Sequence, residues 1–221
     1  MLDSVFNSRK KYLLDPMERI SEILFGLIMV LTVTCSFSAV EADRKQVRDM
    51  LLAAVGCNFA WGAIDAVFYL LARFSEQGRG IFALKALRKA DNLSESQIII
   101  AAYLPPLLAS ALTATDFDLI HQRLNQLPEP PAHPKLTKDD WLPAAGVFLL
   151  VFLSTFPVVI PFLFASDAKF ALRVSNGIAI LMLFITGYAF GRHAGRSPWR
   201  TGLAMVILGS VLVGITVSVG G

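Results

Sequence analysis

The sequence contains few charged residues and few cysteines, and both shortages exclude classes of protein. Only 17% of its 221 residues are charged, whereas 55% are hydrophobic and the mean hydropathy is +0.59. This balance is typical of an integral membrane protein and excludes an ordinary soluble domain. The two cysteines, Cys35 and Cys57, lie inside apolar segments. We therefore expect buried free thiols and not the disulfide framework of a small secreted protein.

The motifs of several enzyme and binding classes are also missing. The chain has no glycine-rich nucleotide-binding loop, no nucleophile triad and no haem motif. We therefore expect no enzyme, no ATP-driven pump and no bound cofactor. The formal net charge of +3 is too small to indicate a nucleic-acid partner. Acidic residues precede the first apolar run, and the run is longer than a signal core, so we interpret it as a retained helix.

Long apolar runs are what the sequence does contain. A helix needs about 20 residues to cross a bilayer, and the runs of this length lie roughly at 20–40, 50–72, 142–166, 170–191 and 199–219. The predicted fold class is an all-α integral membrane protein with five transmembrane helices and a helical cytoplasmic insertion between the second and the third. Pro157 and Pro161 are predicted to kink the third span and to free backbone carbonyls there.

The distribution of basic residues predicts the orientation of these spans. With five spans and a cytoplasmic N-terminus, 15 of the 20 lysines and arginines are cytoplasmic, as the positive-inside rule requires. A sixth apolar run, 98–114, is interrupted by Pro105 and Pro106, and counting it as a span would move three arginines outside. We interpret it as a helical hairpin lying on the membrane or on a partner. The predicted divisions are the N-terminal amphipathic segment with two spans (1–73), the insertion (74–141) and the last three spans (142–221).

An aspartate in the second span is the most informative residue. A carboxylate at membrane depth costs several kcal/mol or more unless it has a partner, a proton or a cation. Asp65 shares a helical face with Asn58, and the first helix carries Glu18, Glu22 and Met29 on one face. Carboxylate, amide and thioether groups suit Fe²⁺, Mn²⁺ or a similar ion better than Na⁺ or Mg²⁺. These five residues are the predicted metal site.

The insertion offers a weaker set of candidates. Residues 80–90 and 115–127 are predicted to be helical, the second helix with Thr115 or Asp116 as its cap. Asp118 and His121 then lie three positions apart on one face, a spacing that can share a metal. We prefer to interpret Asp116 as a helix cap and the other two as solvated side chains.

Two motifs resemble the vacuolar iron transporter (VIT) family, which includes the cross-complementers of calcium sensitivity. One is GRSPWRTG at 195–202, before a Met- and Leu-rich run, and the other is TFP at 155–157 in the third span. The resemblance implies a homodimer of five-span subunits that carries metal ions. The chain departs from the family where Phe25-Gly26 stands in place of Asp-Gly. Its 74–141 insertion also has few glutamates, so we identify the chain as a divergent member.

Two hypotheses of function follow. The first is a homodimeric, lipid-embedded carrier in a bacterial inner membrane or an organelle membrane, exporting iron or manganese from the cytosol in exchange for protons. Metal binding requires ionised carboxylates, so protons arriving from outside would displace the ion. The alternative is a non-transporting scaffold or interaction protein in which Asp65 is purely structural. A polar stripe that continues through Asn58 and the first helix favours transport.

Overall fold

A computed structural model describes residues 16–35, 44–90 and 92–220. Within these ranges every regular element is an α-helix. In chain order the helices are α1 (Pro16–Cys35), α2 (Arg44–Lys89), α3 (Leu93–Tyr103), α4 (Pro106–Ala111), α5 (Ala114–Asn125), α6 (Lys138–Ser154), α7 (Phe156–Phe164), α8 (Ala168–His193) and α9 (Pro198–Gly220).

Four helical stretches among the described residues are long and apolar enough to cross a membrane. They are Lys45–Lys89, Lys138–Phe164, Ala168–His193 and Pro198–Ile215. These stretches cover all or most of each predicted span from the second to the fifth, so the all-helical membrane fold is confirmed for the described residues. Helix α1 has 20 residues and covers most of the predicted first span, but it is not one of the four.

The second predicted span is part of a much longer helix. Helix α2 runs without interruption for 46 residues, so 80–90 is its C-terminal end and not a separate helix. The prediction ended the span at 72 because the apolar run ends there. Arg, Lys, Glu and Gln are nevertheless good helix formers, and the 73–89 stretch contains no proline. Arg88 and Lys89 in the last turn complement the negative end of the helix dipole.

Residues 70–140 form one compact unit. Its buried core consists of Leu84, Leu87 and Ile100, against which α5 packs Phe117, Ile120 and Leu124. The helical conformation is interrupted at Leu104 and Pro105, so α3 has 11 residues and α4 has six. Neither approaches the length of a span, which agrees with the prediction that 98–114 does not cross the membrane.

Helix caps in this unit differ from those predicted. Helix α5 begins after Thr113, which forms a reciprocal capping box with Asp116, so neither Thr115 nor Asp116 is the N-cap. Basic side chains on α2 hold the proline-rich segment that follows α5. The Arg88 guanidinium donates to the carbonyls of Leu127 and Pro128, the latter at 3.1 Å.

The rest of the described chain, 16–35, 44–69 and 141–220, belongs to a second unit. Its core includes Leu27, Val30, Ala54, Val158 and Leu183, all without solvent exposure. Glycines let two of its helices approach closely. A Cβ at Gly187 would lie 2.6 Å from Met205 Cγ, so the Gly187-x-x-x-Gly191 pattern packs α8 against α9 of the same chain.

The third predicted span keeps an α-helical backbone at Thr155, and only its regular hydrogen bonding changes there. This residue separates α6 from α7, and its N–H donates to the Phe152 carbonyl at 3.3 Å. Pro157 has no N–H and cannot donate to the carbonyl four residues earlier. Aromatic side chains line the same stretch, because Phe148, Phe152 and Phe156 contact one another in sequence and Phe59 of α2 meets the first two edge-on.

Candidate functional site

Two carboxyl groups meet between α1 and α2. The carboxyl groups of Glu22 and Asp65 lie close enough to interact through a hydrogen bond, and both residues are half-buried. Two ionised carboxylates only accept hydrogen bonds, so the two groups can bond to each other only when one of them carries a proton. Because like charges at such a distance repel strongly, a cation is the other agent that could hold them together. Two neighbouring carboxyl groups can hold either a proton or a cation between them.

The local sequence explains why these two side chains face each other. The buried positions of α2 recur at Ala54, Asn58 and Gly62, and this stripe continues into half-buried Asp65. Gly62 allows the α2 backbone to approach the third span, since a Cβ there would lie 3.0 Å from the Phe148 carbonyl oxygen. Charged, buried and small positions therefore share one face of the helix.

Asn58 connects three helices. Its side chain is fully buried, and its amide nitrogen Nδ2 donates to the Gly26 carbonyl at 3.0 Å and to the Thr155 hydroxyl. A carbonyl oxygen only accepts, so the nitrogen must face Gly26 and the orientation of the amide is fixed. The amide oxygen Oδ1 is buried, and no described residue donates a hydrogen bond to it. Asn58 thus uses the nitrogen end of its amide to join the helices.

Gly26 is required by the packing around this amide. A Cβ at this position would lie 2.0 Å from Ser154 Oγ and 2.7 Å from the Val151 carbonyl oxygen. The Ser154 hydroxyl itself donates to that same carbonyl at 2.7 Å. The α1 backbone therefore lies directly against the end of α6.

The other predicted ligands are less defined. Met29 is half-buried on α1. Glu18 lies within α1, but its side chain is outside the described residues. Among the side chains that the structure describes, no group of three or more His, Cys, Asp or Glu residues gathers around a common point. The described part of the predicted site is therefore the two-carboxyl contact, with the Asn58 oxygen about 10 Å further along α2 by helical rise.

The candidate residues of the insertion have other partners. Asp118 accepts a hydrogen bond from Gln97 at 3.4 Å, and a ring nitrogen of His121 contacts the Asn125 amide at 2.8 Å. These contacts support the interpretation of both residues as ordinary polar side chains of the helical unit.

Sequence reasoning missed Thr155 and undervalued Gly26. Thr155 immediately precedes Phe156-Pro157, so a local change in helix hydrogen bonding could have been inferred there. Its bond to Asn58, 97 positions away, could not. Gly26 was considered only as part of the Phe25-Gly26 departure from the family's Asp-Gly, whereas it is a point of close backbone contact.

The fold defines an α-helical integral membrane protein with ionisable side chains between its helices. The profile of the VIT family matches residues 93–221, more than half of the sequence, and the chain belongs to the VIT family. Membership indicates transport of metal ions across a membrane. No curated protein matches the chain. The matched region includes Thr155 but not Glu22, Asn58 or Asp65.

Proposed function

We propose that the protein carries divalent transition metal, iron or manganese, out of the cytosol in exchange for protons. The observation that carries this proposal is the Glu22–Asp65 contact, because two neighbouring carboxyl groups inside an apolar bundle can hold a proton or, once that proton has left, a metal ion. Membership of the VIT family supports metal as the cargo. The surroundings of the pair are apolar, so uncompensated negative charge on the two carboxylates is costly. This cost favours a pair that holds either a proton or a metal ion.

The chemistry of exchange follows from charge. A divalent cation binds the two ionised carboxylates, and the shared proton leaves as it binds. A proton arriving from the opposite side converts one carboxylate to its neutral form and displaces the metal. In this proposal Glu18 collects the ion at the cytosolic mouth, Met29 favours softer ions, and the Asn58 oxygen is the next ligand along the path.

The membrane arrangement is part of the proposal. Helix α1 is the first of five spans, and the N-terminus and the insertion lie in the cytosol of a bacterium or beside an organelle membrane. The charge distribution of the sequence supports this orientation. A homodimer in a lipid bilayer is consistent with the apolar side chains exposed on α9, such as Leu203, Ile207 and Val211.

Flux measurements in liposomes test the proposal. Purified protein should move Fe²⁺ or Mn²⁺ with opposite proton flux, compared with Co²⁺, Zn²⁺ and Ca²⁺ in the same preparation. Asp65→Asn is nearly isosteric but not ionisable, and should lower coupled flux at least about tenfold, equivalent to about 1.4 kcal/mol. Glu22→Gln leaves Asp65 ionisable and should lose less. Asp118→Asn in the insertion is the matched control and should transport normally.

One result would favour the scaffold hypothesis. If Asp65→Asn protein transports at the normal rate but unfolds at a lower temperature, Asp65 is a structural hydrogen-bonding residue and the carrier mechanism is wrong.

A further inference from the structure

The 70–140 unit leaves part of an uncharged stretch exposed. No charged residue occurs between Glu95 and Asp116, and this stretch includes most of α3 and all of α4. Ile100 is its contribution to the buried core of the unit. Leu107 and Leu108 of α4 are instead 80% and 54% exposed. Large apolar side chains exposed side by side indicate a surface that contacts lipid or another protein.

Helix α3 runs back along α2. Its first residue, Leu93, follows shortly after the end of α2 at Lys89, and its last residue, Tyr103, donates from its hydroxyl to the Arg79 carbonyl at 3.1 Å. Ten residues of α-helix cover about 15 Å. The two helices therefore cover the same distance between these points, in opposite directions.

Helix α5 returns along the unit toward the end of α2. The segment that follows it is held there, because the Arg88 guanidinium donates to the Pro128 carbonyl at 3.1 Å. Between its ends, α5 is joined to α3 where the Gln97 amide donates to the Asp118 carboxylate at 3.4 Å. The midpoint between positions 97 and 118 falls within α4. Helix α4 therefore closes a helical hairpin at the end away from Lys89.

This closed end of the hairpin lies near the apolar run of α2. The run ends at about position 72, and Arg79 lies about 10 Å further along the helix. Helix α4 follows Tyr103, which contacts Arg79, and continues away from Lys89. Helices that lie in a membrane interface bury their apolar side chains about 5–10 Å into the headgroup region. The closed end of the hairpin is thus within reach of the lipid headgroups.

The side chains beside α4 suit a membrane interface. The Tyr103 ring is exposed while its hydroxyl is hydrogen-bonded, and tyrosine is typical of the boundary between lipid and water. Arg79 and Lys135 are both exposed. The Lys135 N–H donates to the Gln77 side chain at 3.2 Å, which places Lys135 near the same turn of α2 as Arg79. Basic side chains at this level complement the phosphates of the headgroups.

We propose that the α4 tip, defined as Leu107 and Leu108, inserts into the headgroup region of the bilayer leaflet next to the 70–140 unit. The level of α4 along α2 and the flanking tyrosine and basic residues favour lipid over a second copy of the chain as the occupant. The tip would anchor the unit to the membrane surface. This anchoring goes beyond the proposed carrier function and does not depend on it.

Depth-dependent fluorescence quenching of the full-length chain tests the proposal. The two native cysteines are removed as Cys35→Ala and Cys57→Ala, and the protein is placed in liposomes of phosphatidylcholine and phosphatidylglycerol. A thiol-reactive fluorophore is attached on α4 through Ser110→Cys or, as the matched control, in the first turn of α3 through Ser94→Cys. Both serines are exposed. The quenchers are a lipid with a nitroxide close to its headgroup and, on both sides of the bilayer, aqueous iodide.

We expect the nitroxide lipid to quench the label at position 110 at least about twofold more strongly than the label at position 94, which lies about 14 Å further along α3 than Tyr103. Iodide should quench the two labels in the opposite order. None of these measurements uses ion flux, so they distinguish failure of the anchoring from failure of the carrier function.

Two double variants test the leucines themselves. Leu107→Gln with Leu108→Gln should lower lipid quenching at position 110 to the level at position 94. Leu93→Gln with Ile98→Gln is the matched control and should leave it unchanged, because these two α3 side chains are similarly exposed, at 49% and 71%, but lie toward the Lys89 end. Since all four side chains are exposed, neither double variant should lower the unfolding midpoint in detergent.

Four results would overturn the proposal. Equal lipid quenching of the two labels places α4 in water, and undiminished quenching after both leucines are replaced means that they are not the anchor. A lower unfolding midpoint of the leucine variant alone means that the two side chains pack within the unit. Shielding of the label at position 110 from both quenchers, lost when the protein is diluted with lipid, makes a second copy the occupant.

Discussion

Substitution of Gly26 by alanine tests whether α1 and the third span are packed as described. The added Cβ would lie 2.0 Å from Ser154 Oγ, 2.7 Å from the Val151 carbonyl oxygen and 3.3 Å from Ser154 Cβ. The serine hydroxyl could rotate away, but the backbone carbonyl and the Cβ could not. The helices must therefore separate at this point.

The expected cost has two parts. Overpacking of a closely packed interior typically costs about 1–3 kcal/mol. Separation of α1 from α6 also stretches the bond from Asn58 to the Gly26 carbonyl, which is worth about 1 kcal/mol. We expect Gly26→Ala to lower the free energy of unfolding by about 2–4 kcal/mol, the sum of these two contributions.

Reversible unfolding in mixed detergent, followed by circular dichroism, measures this free energy. Gly56→Ala is the matched control, because no atom lies within 4 Å of a Cβ built at Gly56 on α2. It should be neutral or stabilising by up to about 1 kcal/mol. Ser154→Gly should rescue Gly26→Ala only in part, since the Val151 carbonyl remains at 2.7 Å. Equal stability of the Gly26 and Gly56 variants would refute the close packing of α1.

Further predictions concern the 70–140 unit. A thiol introduced as Lys135→Cys should react with an impermeant maleimide only after the membrane is opened; labelling of sealed, right-side-out vesicles would contradict the cytosolic placement. Arg73 donates to buried Asp140 at 3.4 Å, so Arg73→Met should destabilise the unit by about 1–3 kcal/mol in detergent unfolding. An unchanged unfolding midpoint would show that this contact does not stabilise the unit. The Thr113 hydroxyl, followed by the Thr113 backbone N–H, lowers the pKa of the Asp116 carboxyl. This contribution is therefore complete above the ordinary pKa of about 3.9 and is lost as the pH falls through the lower folded value. Protection of the amides at the start of α5 against exchange should fall as the pH drops through this folded pKa. Asp116→Asn should remove that pH dependence of protection.

The contact between α1 and α2 shows what the residue pattern within single helices can predict. A single acid inside an apolar run needs a partner, and helical periodicity places Glu22 on a face of the preceding helix. Both steps use residues close in sequence, so the contact of Glu22 with Asp65 could be predicted. Whether this contact binds metal remains a prediction.

The Asn58 contacts show what the residue pattern within single helices cannot predict. Gly26 and Thr155 come from different helices, and nothing in the sequence near Asn58 specifies either partner. The full length of α2 was also missed, because hydropathy identifies where a helix leaves apolar surroundings and not where the helix ends. Helix α2 ends at Lys89, just before Asn92 caps α3.

The Glu22–Asp65 contact has a consequence for biosynthesis. Its two residues come from consecutive helices, so the pair can form as a helical hairpin while the later helices are still being translated. Insertion of an aspartate at the centre of a single helix costs about 2.5–3.5 kcal/mol at the translocon. A hairpin that enters with its two acids sharing a proton carries one negative charge in place of two. We expect α1 to assist membrane insertion of α2, and the Asn58 contacts to form only after the third span is made.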